Sequence, residues 1–322
     1  MAGTVAGTAS FLLRRISATA ATLFLVSLLT FAAFTLIPGD AASLTLGVEA
    51  TAEQVAALRA EMGLDRSFPV QYLSWLGKFF TGNLGNSSRF RGVSISSLIL
   101  ERLPVTFTLA GLALIFVLLI SLPLSLLSVR RENGAPAKIV TALTALTVSF
   151  PGFFLGVLFI WIFGLVLKFF VPGGYVGYGE SISAFLGYLF CPALVIAIPG
   201  AAMMTKFLRA SLFQELGNAY VRTARSKGNP WRRILLVHAL RNAVIPAITL
   251  LGMITGEVFS GSIVIEQVFA IPGIGKLLLT SIGARDYAMV QTLAVYMAFM
   301  VVLANTCADI AIRMIDPRIR QA

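Results

Sequence analysis

The sequence predicts an all-α integral membrane protein with six transmembrane helices and both termini on the cytoplasmic side. Three observations lead there. Of the 322 residues, 57% are hydrophobic and only 12% charged, where a soluble domain carries roughly 25% charged residues. Six apolar runs reach the length of about 20 residues that crosses a bilayer core roughly 30 Å thick. Lys and Arg gather in alternate connections between those runs, which sets orientation. The net charge of +11 therefore reads as membrane placement, and no nucleic-acid partner is needed to explain it.

The spans cover roughly 16–37, 104–127, 139–169, 188–208, 243–265 and 288–312. The first follows Arg14 and Arg15, as a signal peptide would. Its apolar stretch is too long for a signal core, and it ends in Ile37-Pro38-Gly39-Asp40 rather than a small-residue cleavage site, so it is expected to stay as an anchor. Residues 1–103 then form an anchor-and-loop unit, and 104–322 a core of five spans.

The long extracytoplasmic connection after the first span is expected to be partly helical. Thr51-Ala52-Glu53-Gln54 has the form of a capping box, followed by Val55, Leu58 and Met62 at helical spacing and stopped by Gly63. Pro69 starts a second short helix whose Tyr72, Leu73, Trp75, Leu76, Phe79 and Phe80 suit a membrane interface. A lid over the outer mouth and a docking surface for a substrate-delivering partner both fit this pattern.

In the third span, Ser149-Phe150-Pro151-Gly152 predicts a kink, because proline removes one helical hydrogen bond. Pro151 and Gly152 are a candidate hinge, with a static kink the alternative.

Orientation follows from the cations. The N-terminus holds two, the second-to-third connection three, the fourth-to-fifth connection eight between Lys206 and Arg241, and the tail three. The opposite short connections hold Lys168 alone, then Lys276 and Arg285. The first long connection balances six cations against six acids and is too long to obey the short-loop rule.

The basic connection has more structure than charge placement requires. Asn218 is placed to cap a short helix over about 219–227, which Gly228 ends by taking positive φ. Ala219, Thr223 and Ala224 give that helix a slim face that fits a groove on another protein, with Arg222, Arg225 and Lys227 on the rim. A plain positive-inside loop and anionic-lipid binding each explain the cations. Docking also explains the helix and the glycine. From the residues alone, docking and the plain loop stay open.

Catalytic and metal chemistry find no support. Gly273-Ile274-Gly275-Lys276-Leu277 lacks the first glycine and the Ser or Thr of a phosphate-binding loop, and the Gly173–Gly179 cluster has no Rossmann unit around it. His238 is the single histidine, and Cys191 and Cys307 have no ligand or disulfide spacing. Glu257 lies within the fifth span beside Gly252, Gly256, Gly261 and Ser262, where small residues permit close helix approach. It lines a cavity, where it can meet a substrate amine, or makes a polar contact with another helix. Asp309 and Arg313 form a structural i,i+4 pair.

Two stretches then carry a family resemblance. Tyr220-Val221-Arg222-Thr223-Ala224-Arg225-Ser226-Lys227-Gly228, followed by His238-Ala239-Leu240-Arg241-Asn242-Ala243-Val244-Ile245-Pro246, resembles the EAA-type cytoplasmic loop of ABC importer permeases. The form is that of the dipeptide/oligopeptide/nickel branch, here spanning about 209–242. Leu36-Ile37-Pro38-Gly39-Asp40, Met62-Gly63-Leu64-Asp65, Gly82-Asn83-Leu84-Gly85-Asn86-Ser87, Glu101-Arg102-Leu103-Pro104, the segment EQVFAIPGIGK from Glu266, and Asp316-Pro317-Arg318 agree with it. The first-loop motifs make the chain most similar to the B-type subunit. Asn83 and Asn86 depart from the acid and base common at those places.

The resemblance implies a permease of the prokaryotic cytoplasmic (inner) membrane with no cofactor of its own. A homologous C-type permease and one or two ATPase subunits binding ATP and Mg would complete the complex, with an extracytoplasmic solute-binding protein and membrane lipid as further partners. Tyr220, Arg222, Thr223, Ala224, Arg225, Lys227 and Gly228 would form a coupling helix seated on an ATPase. Glu266, Phe269, Pro272 and Gly273 would form an external gate. Alternating access would move the substrate, a di- or oligopeptide. A secondary transporter or channel acting alone is the competing class, but it leaves the basic loop without a role.

Overall fold

The computed structural model describes residues 2–36, 50–90, 92–130 and 134–315. Among these, the chain is helical apart from short connections, with one isolated antiparallel bridge between Asn86 and Ser94. The motifs at 37–40 and 316–318 lie outside the described residues, as do the side chains of Leu58, Met62, Asp309 and Arg313.

The helices are α1 (Ala2–Leu36), α2 (Ala52–Met62), α3 (Phe68–Phe80), α4 (Ile95–Arg130), α5 (Ala135–Ser149), α6 (Gly152–Val166), α7 (Ile182–Leu216), α8 (Ala219–Ser226), α9 (Trp231–Val268), α10 (Ile274–Gly283) and α11 (Tyr287–Ile315). Five of them, α1, α4, α7, α9 and α11, are long and apolar enough to cross a membrane, and the pair α5–α6 makes a sixth if counted as one span.

That pair differs from the expected single kinked helix. Its halves are bent by 103°. Phe150 is extended (φ −105°, ψ 131°), the conformation that a following proline imposes, and Pro151 begins the next helix with no N–H to donate. Within α6, residues 160–166 widen into a π-helix, and a second wide turn occupies Ile234–Ala239 near the start of α9.

The core is a chain of contacts in which α4 packs on α7, α7 on α9, α9 on α11, and α11 on the peripheral α1. Small residues set its spacing. Ala193, Ala197 and Ala201 repeat every fourth position on α7, all buried. Ser121, Ser125 and Ser128 are buried on α4, and the Ser125 hydroxyl donates to the Ser121 carbonyl at 2.6 Å, with the Thr205 carbonyl of α7 at 3.3 Å. A hydroxyl answered by its own helix can be buried without an orphaned polar group, as at Ser125 and Ser128, whereas the Ser121 hydroxyl has no hydrogen-bond partner among the described residues.

At the far end of α1, the α2–α3 unit folds back on the bundle. The Thr51 capping box forms, with Gln54 N–H donating to Thr51 Oγ1 and Thr51 N–H donating to Gln54 Oε1. Gly63 ends α2 at φ +71°. On α3, Tyr72 is buried against Phe24 and Phe31 of α1 and shares a 2.8 Å hydrogen bond with Ser27, while Phe79 meets Tyr296 of α11. Leu73 and Phe80, about a quarter turn round the helix from Tyr72, remain exposed.

Gly200 marks the closest approach of three helices. A methyl added there would sit 2.9 Å from Ile254 Cγ2 and 3.2 Å from Val117 Cγ2, both on stiff β-branched side chains. Gly200→Ala is therefore expected to lower the thermal midpoint in detergent, at a cost of about 1–3 kcal/mol. Gly111→Ala, with open space around the new methyl, should raise it slightly through helix propensity. Equal midpoints for the two variants would contradict this packing.

Candidate functional site

Two structured regions sit at opposite ends of α9. At its first residues, α8 lies across the bundle with Val221 and Ala224 buried against the chain. Tyr220, Arg222, Thr223, Arg225, Lys227 and Gly228 are exposed. Ala224, grouped above with the slim docking face, is thus turned inward, since a helix this short anchors itself through one side.

The expected side-chain cap is also absent. Asn218 Nδ2 instead donates to Glu215 Oε2 at 3.1 Å, and backbone N–H groups of Val221 and Arg222 bond the Asn218 carbonyl. The helix ends at Ser226, one residue earlier than read. Gly228 takes φ +76° with open space around it, and Asn229 closes the turn by donating to the Ala224 carbonyl at 2.9 Å.

Tyr220 braces this helix. Its hydroxyl donates to Glu215 Oε2 at 2.5 Å and accepts from Asn242 Nδ2 at 3.0 Å. One phenol thus joins the end of α7, the short α8 and the first turns of α9. Arg225 stacks over Trp231, 5.7 Å from the ring centroid.

At the other end of α9, Glu266 is fully buried. Its Oε1 accepts from Thr106 Oγ1 of α4 at 2.7 Å, and its Oε2 from Lys276 N–H at 3.1 Å. Thr106 Oγ1 accepts in turn from Ile274 N–H at 2.9 Å. The loop wraps so closely that a methyl on Gly273 would collide with the Glu266 carboxylate, and one on Gly275 with the Ile263 backbone. These glycines therefore serve packing around a carboxylate, and the stretch that superficially matched a phosphate-binding loop is explained.

The same loop is tied at two more points. Tyr188 Oη of α7 donates to the Phe269 carbonyl at 2.6 Å and accepts from Gly173 N–H at 3.1 Å. Ala270 is held at φ +57°, an uncommon conformation for a residue with Cβ, and Lys276 Nζ donates to its carbonyl at 3.0 Å. Phe269 and Gly273 are buried and Pro272 half-buried, so all four residues read as a gate from the resemblance lie in one packed assembly.

A second buried acid was not singled out from the sequence. Asp286 accepts from Ser87 Oγ at 2.5 Å, from Arg89 N–H at 3.3 Å and from Met289 N–H at 3.3 Å. It caps α11 while pinning the segment after α3. Its place directly before the last apolar run was the available signal. Nearby, α1, α2–α3 and the start of α11 enclose a cavity of about 620 Å³ whose lining includes Trp75, Tyr287, Arg59, Arg66 and Lys78.

Glu257 is exposed on α9, away from both clusters. Pro151 and Gly152 stand at the 103° bend. Among the described residues no group of three or more His, Cys, Asp or Glu could hold a metal ion. Cys191 is half-buried and Cys307 exposed, both free.

Comparison with known proteins adds the family. Residues 121–321 match the binding-protein-dependent transport system inner membrane component, and residues 8–110 match the N-terminal region of such membrane components. The chain is 33% identical over 313 residues to the oligopeptide transport system permease protein AppB of Bacillus subtilis, covering 97% of this chain and 99% of AppB. It is 32% identical over 310 residues to y4tP of Sinorhizobium fredii, named a probable peptide ABC transporter permease protein, covering 96% and 99% of the two chains.

The Glu266 clasp makes a stability prediction. Glu266→Ala leaves the buried Lys276 N–H and Thr106 hydroxyl without their acceptor, a loss of about 2–4 kcal/mol. Glu266→Gln keeps one acceptor and should fall between. Protease cleavage in the 269–276 segment, measured in nanodiscs, is expected to rise in the order wild type, Gln, Ala. Equal protection in all three would show that the carboxylate does not hold the loop.

Proposed function

The chain belongs to the family of binding-protein-dependent transport system inner membrane components, multi-pass permease subunits of the bacterial inner membrane, and we propose that it imports di- or oligopeptides as half of an ATP-driven complex. The names of the relatives AppB and y4tP support the peptide assignment. In this reading the chain crosses the membrane six times with α5–α6 as one broken span, and both termini and α8 face the cytoplasm.

The observation that carries the coupling role is the anchoring of α8. Its inner face is buried and Tyr220 ties it to α7 and α9, so a push on the exposed Arg222, Arg225 and Lys227 is transmitted to the spans. ATP and Mg would be bound by partner ATPase subunits, whose closure moves α8 as a coupling helix. A homologous C-type permease completes the pathway, and a solute-binding protein delivers peptide to the opposite face.

From α8 the motion has a direct route. Helix α9 runs 38 residues from Trp231 to Val268, about 57 Å at 1.5 Å per residue, and ends in the Glu266 clasp. The clasp with Phe269, Pro272 and Gly273 then acts as the external gate, and the Pro151–Gly152 bend as a hinge for alternating access.

The test is a mild-detergent pull-down of the tagged chain followed by uptake in proteoliposomes. A second permease and P-loop ATPases are expected to co-purify, with ATP-dependent peptide uptake. Recovery of the chain alone with ion-driven uptake would favour a secondary transporter. Gly228→Val forces a β-branched residue to φ +76° and is expected to abolish uptake while the complex still hydrolyses ATP. Unchanged uptake in that variant would contradict the assignment of α8 to coupling.

A further inference from the structure

The exposed surfaces of the long helices are of two kinds. On α4 the large exposed apolar residues include Leu100, Phe107, Ile115, Leu119 and Leu127, with Glu101 exposed near its start, and on α5 Ile139, Leu143 and Leu146 are exposed beside Lys138, Thr141 and Ser149. Such faces suit lipid tails. Helix α9 differs. Its other sides are covered by α4, α6, α7, α10 and α11, and one stripe is left uncovered at helical spacing: Pro246, Thr249, Met253, Glu257, Ser260, Val264 and Gln267, with Gly261 exposed beside it.

Four of those residues, Thr249, Glu257, Ser260 and Gln267, are polar, and a charged one stands near the middle. Glu257 lies 16 residues beyond Arg241, about 24 Å along the axis, and among the described residues no side chain bonds its carboxylate. A carboxylate on a lipid-facing surface would be strongly disfavoured, so this stripe faces water or protein. Its exposed neighbour Gly261 adds no side chain on this face, while Gly256 is turned toward Val301 and Asn305 of α11.

The geometry points to Glu257 as a subsite for a primary ammonium group on the uncovered face of α9, which in the importer reading would border the substrate path. The assignment rests on the peptide reading above, because the free amino terminus of a peptide is the cation that such an importer must carry past this face. Small and polar neighbours at Ser260 and Gly261 leave room for a hydrated ammonium to approach, and the single negative charge orients the peptide by its amino end. One carboxylate binds the cation weakly enough to release it, which a translocation path requires.

Two arms test this in the assembled transporter. In the first, Cys191 and Cys307 are replaced by alanine and Ser260→Cys is introduced one turn from Glu257. Its reaction is then followed with a cationic and an anionic methanethiosulfonate reagent. The cationic-to-anionic rate ratio is expected to be high and to fall on the order of tenfold when Glu257→Gln is added, as expected for loss of a unit charge about 6 Å away in water. A thiol unreactive to both reagents would mean that the stripe is covered, and an unchanged ratio would mean that Glu257 exerts no field on the path. Either result overturns the proposal.

In the second arm, uptake of tri-alanine is compared with uptake of its N-acetylated form. The preference for the free amine should fall about tenfold in Glu257→Gln and persist in Glu257→Asp. An equal preference in wild type and Glu257→Gln would overturn the ammonium assignment. A wild-type complex that moves no peptide would sink the peptide reading, while the labelling ratio, which needs no substrate, would still decide whether Glu257 is a cation subsite.

Discussion

The arrangement depends most on one buried carboxylate. Glu266 is fully buried, so its oxygens must be satisfied by the protein, and the donors come from α4 and from the turn into α10. Because those donors are 160 and 10 residues away in sequence, satisfying one side chain fixes three helices relative to each other. Gly273 and Gly275 follow from it, since any side chain at either position would occupy the space taken by the carboxylate or the α9 backbone.

Opposite that clasp, Tyr220 performs the same service with weaker means. An exposed phenol joined to Glu215 and Asn242 is open to competition from water, whereas the Glu266 network is sealed. The two ends of α9 therefore differ in exposure, with a solvent-accessible brace at one and a buried clasp at the other. The wide turn at Ile234–Ala239 lies between α8 and the brace's anchor at Asn242, and such turns loosen the regular hydrogen-bond ladder of a helix.

The surfaces sort by what they meet. Leucine, isoleucine and phenylalanine supply most of the large exposed side chains of α4 and α5, a composition that suits hydrocarbon. The uncovered side of α9 carries threonine, glutamate, serine and glutamine instead, and the α2–α3 unit turns aromatic side chains onto α1 and α11. One chain thus presents an apolar surface, a polar surface and a packed external layer with no β-strand among its described residues beyond the single Asn86–Ser94 bridge.

Hydropathy and local chemistry by themselves determined a good deal. They located the long apolar helices, the capping box at Thr51, the positive-φ glycines Gly63 and Gly228, and the short basic helix before α9, because each depends on residues within a few positions. Tertiary structure decided what local pattern cannot reach. The inward turn of Ala224, the outward turn of Glu257 and the 103° break at Pro151 depend on how each helix is rotated and what packs beside it. The pairing of Glu266 with Thr106, and of Asp286 with Ser87, joins residues 160 and 199 positions apart. No periodicity encodes such pairs; they exist because a buried carboxylate must find its donors wherever the folded chain brings them.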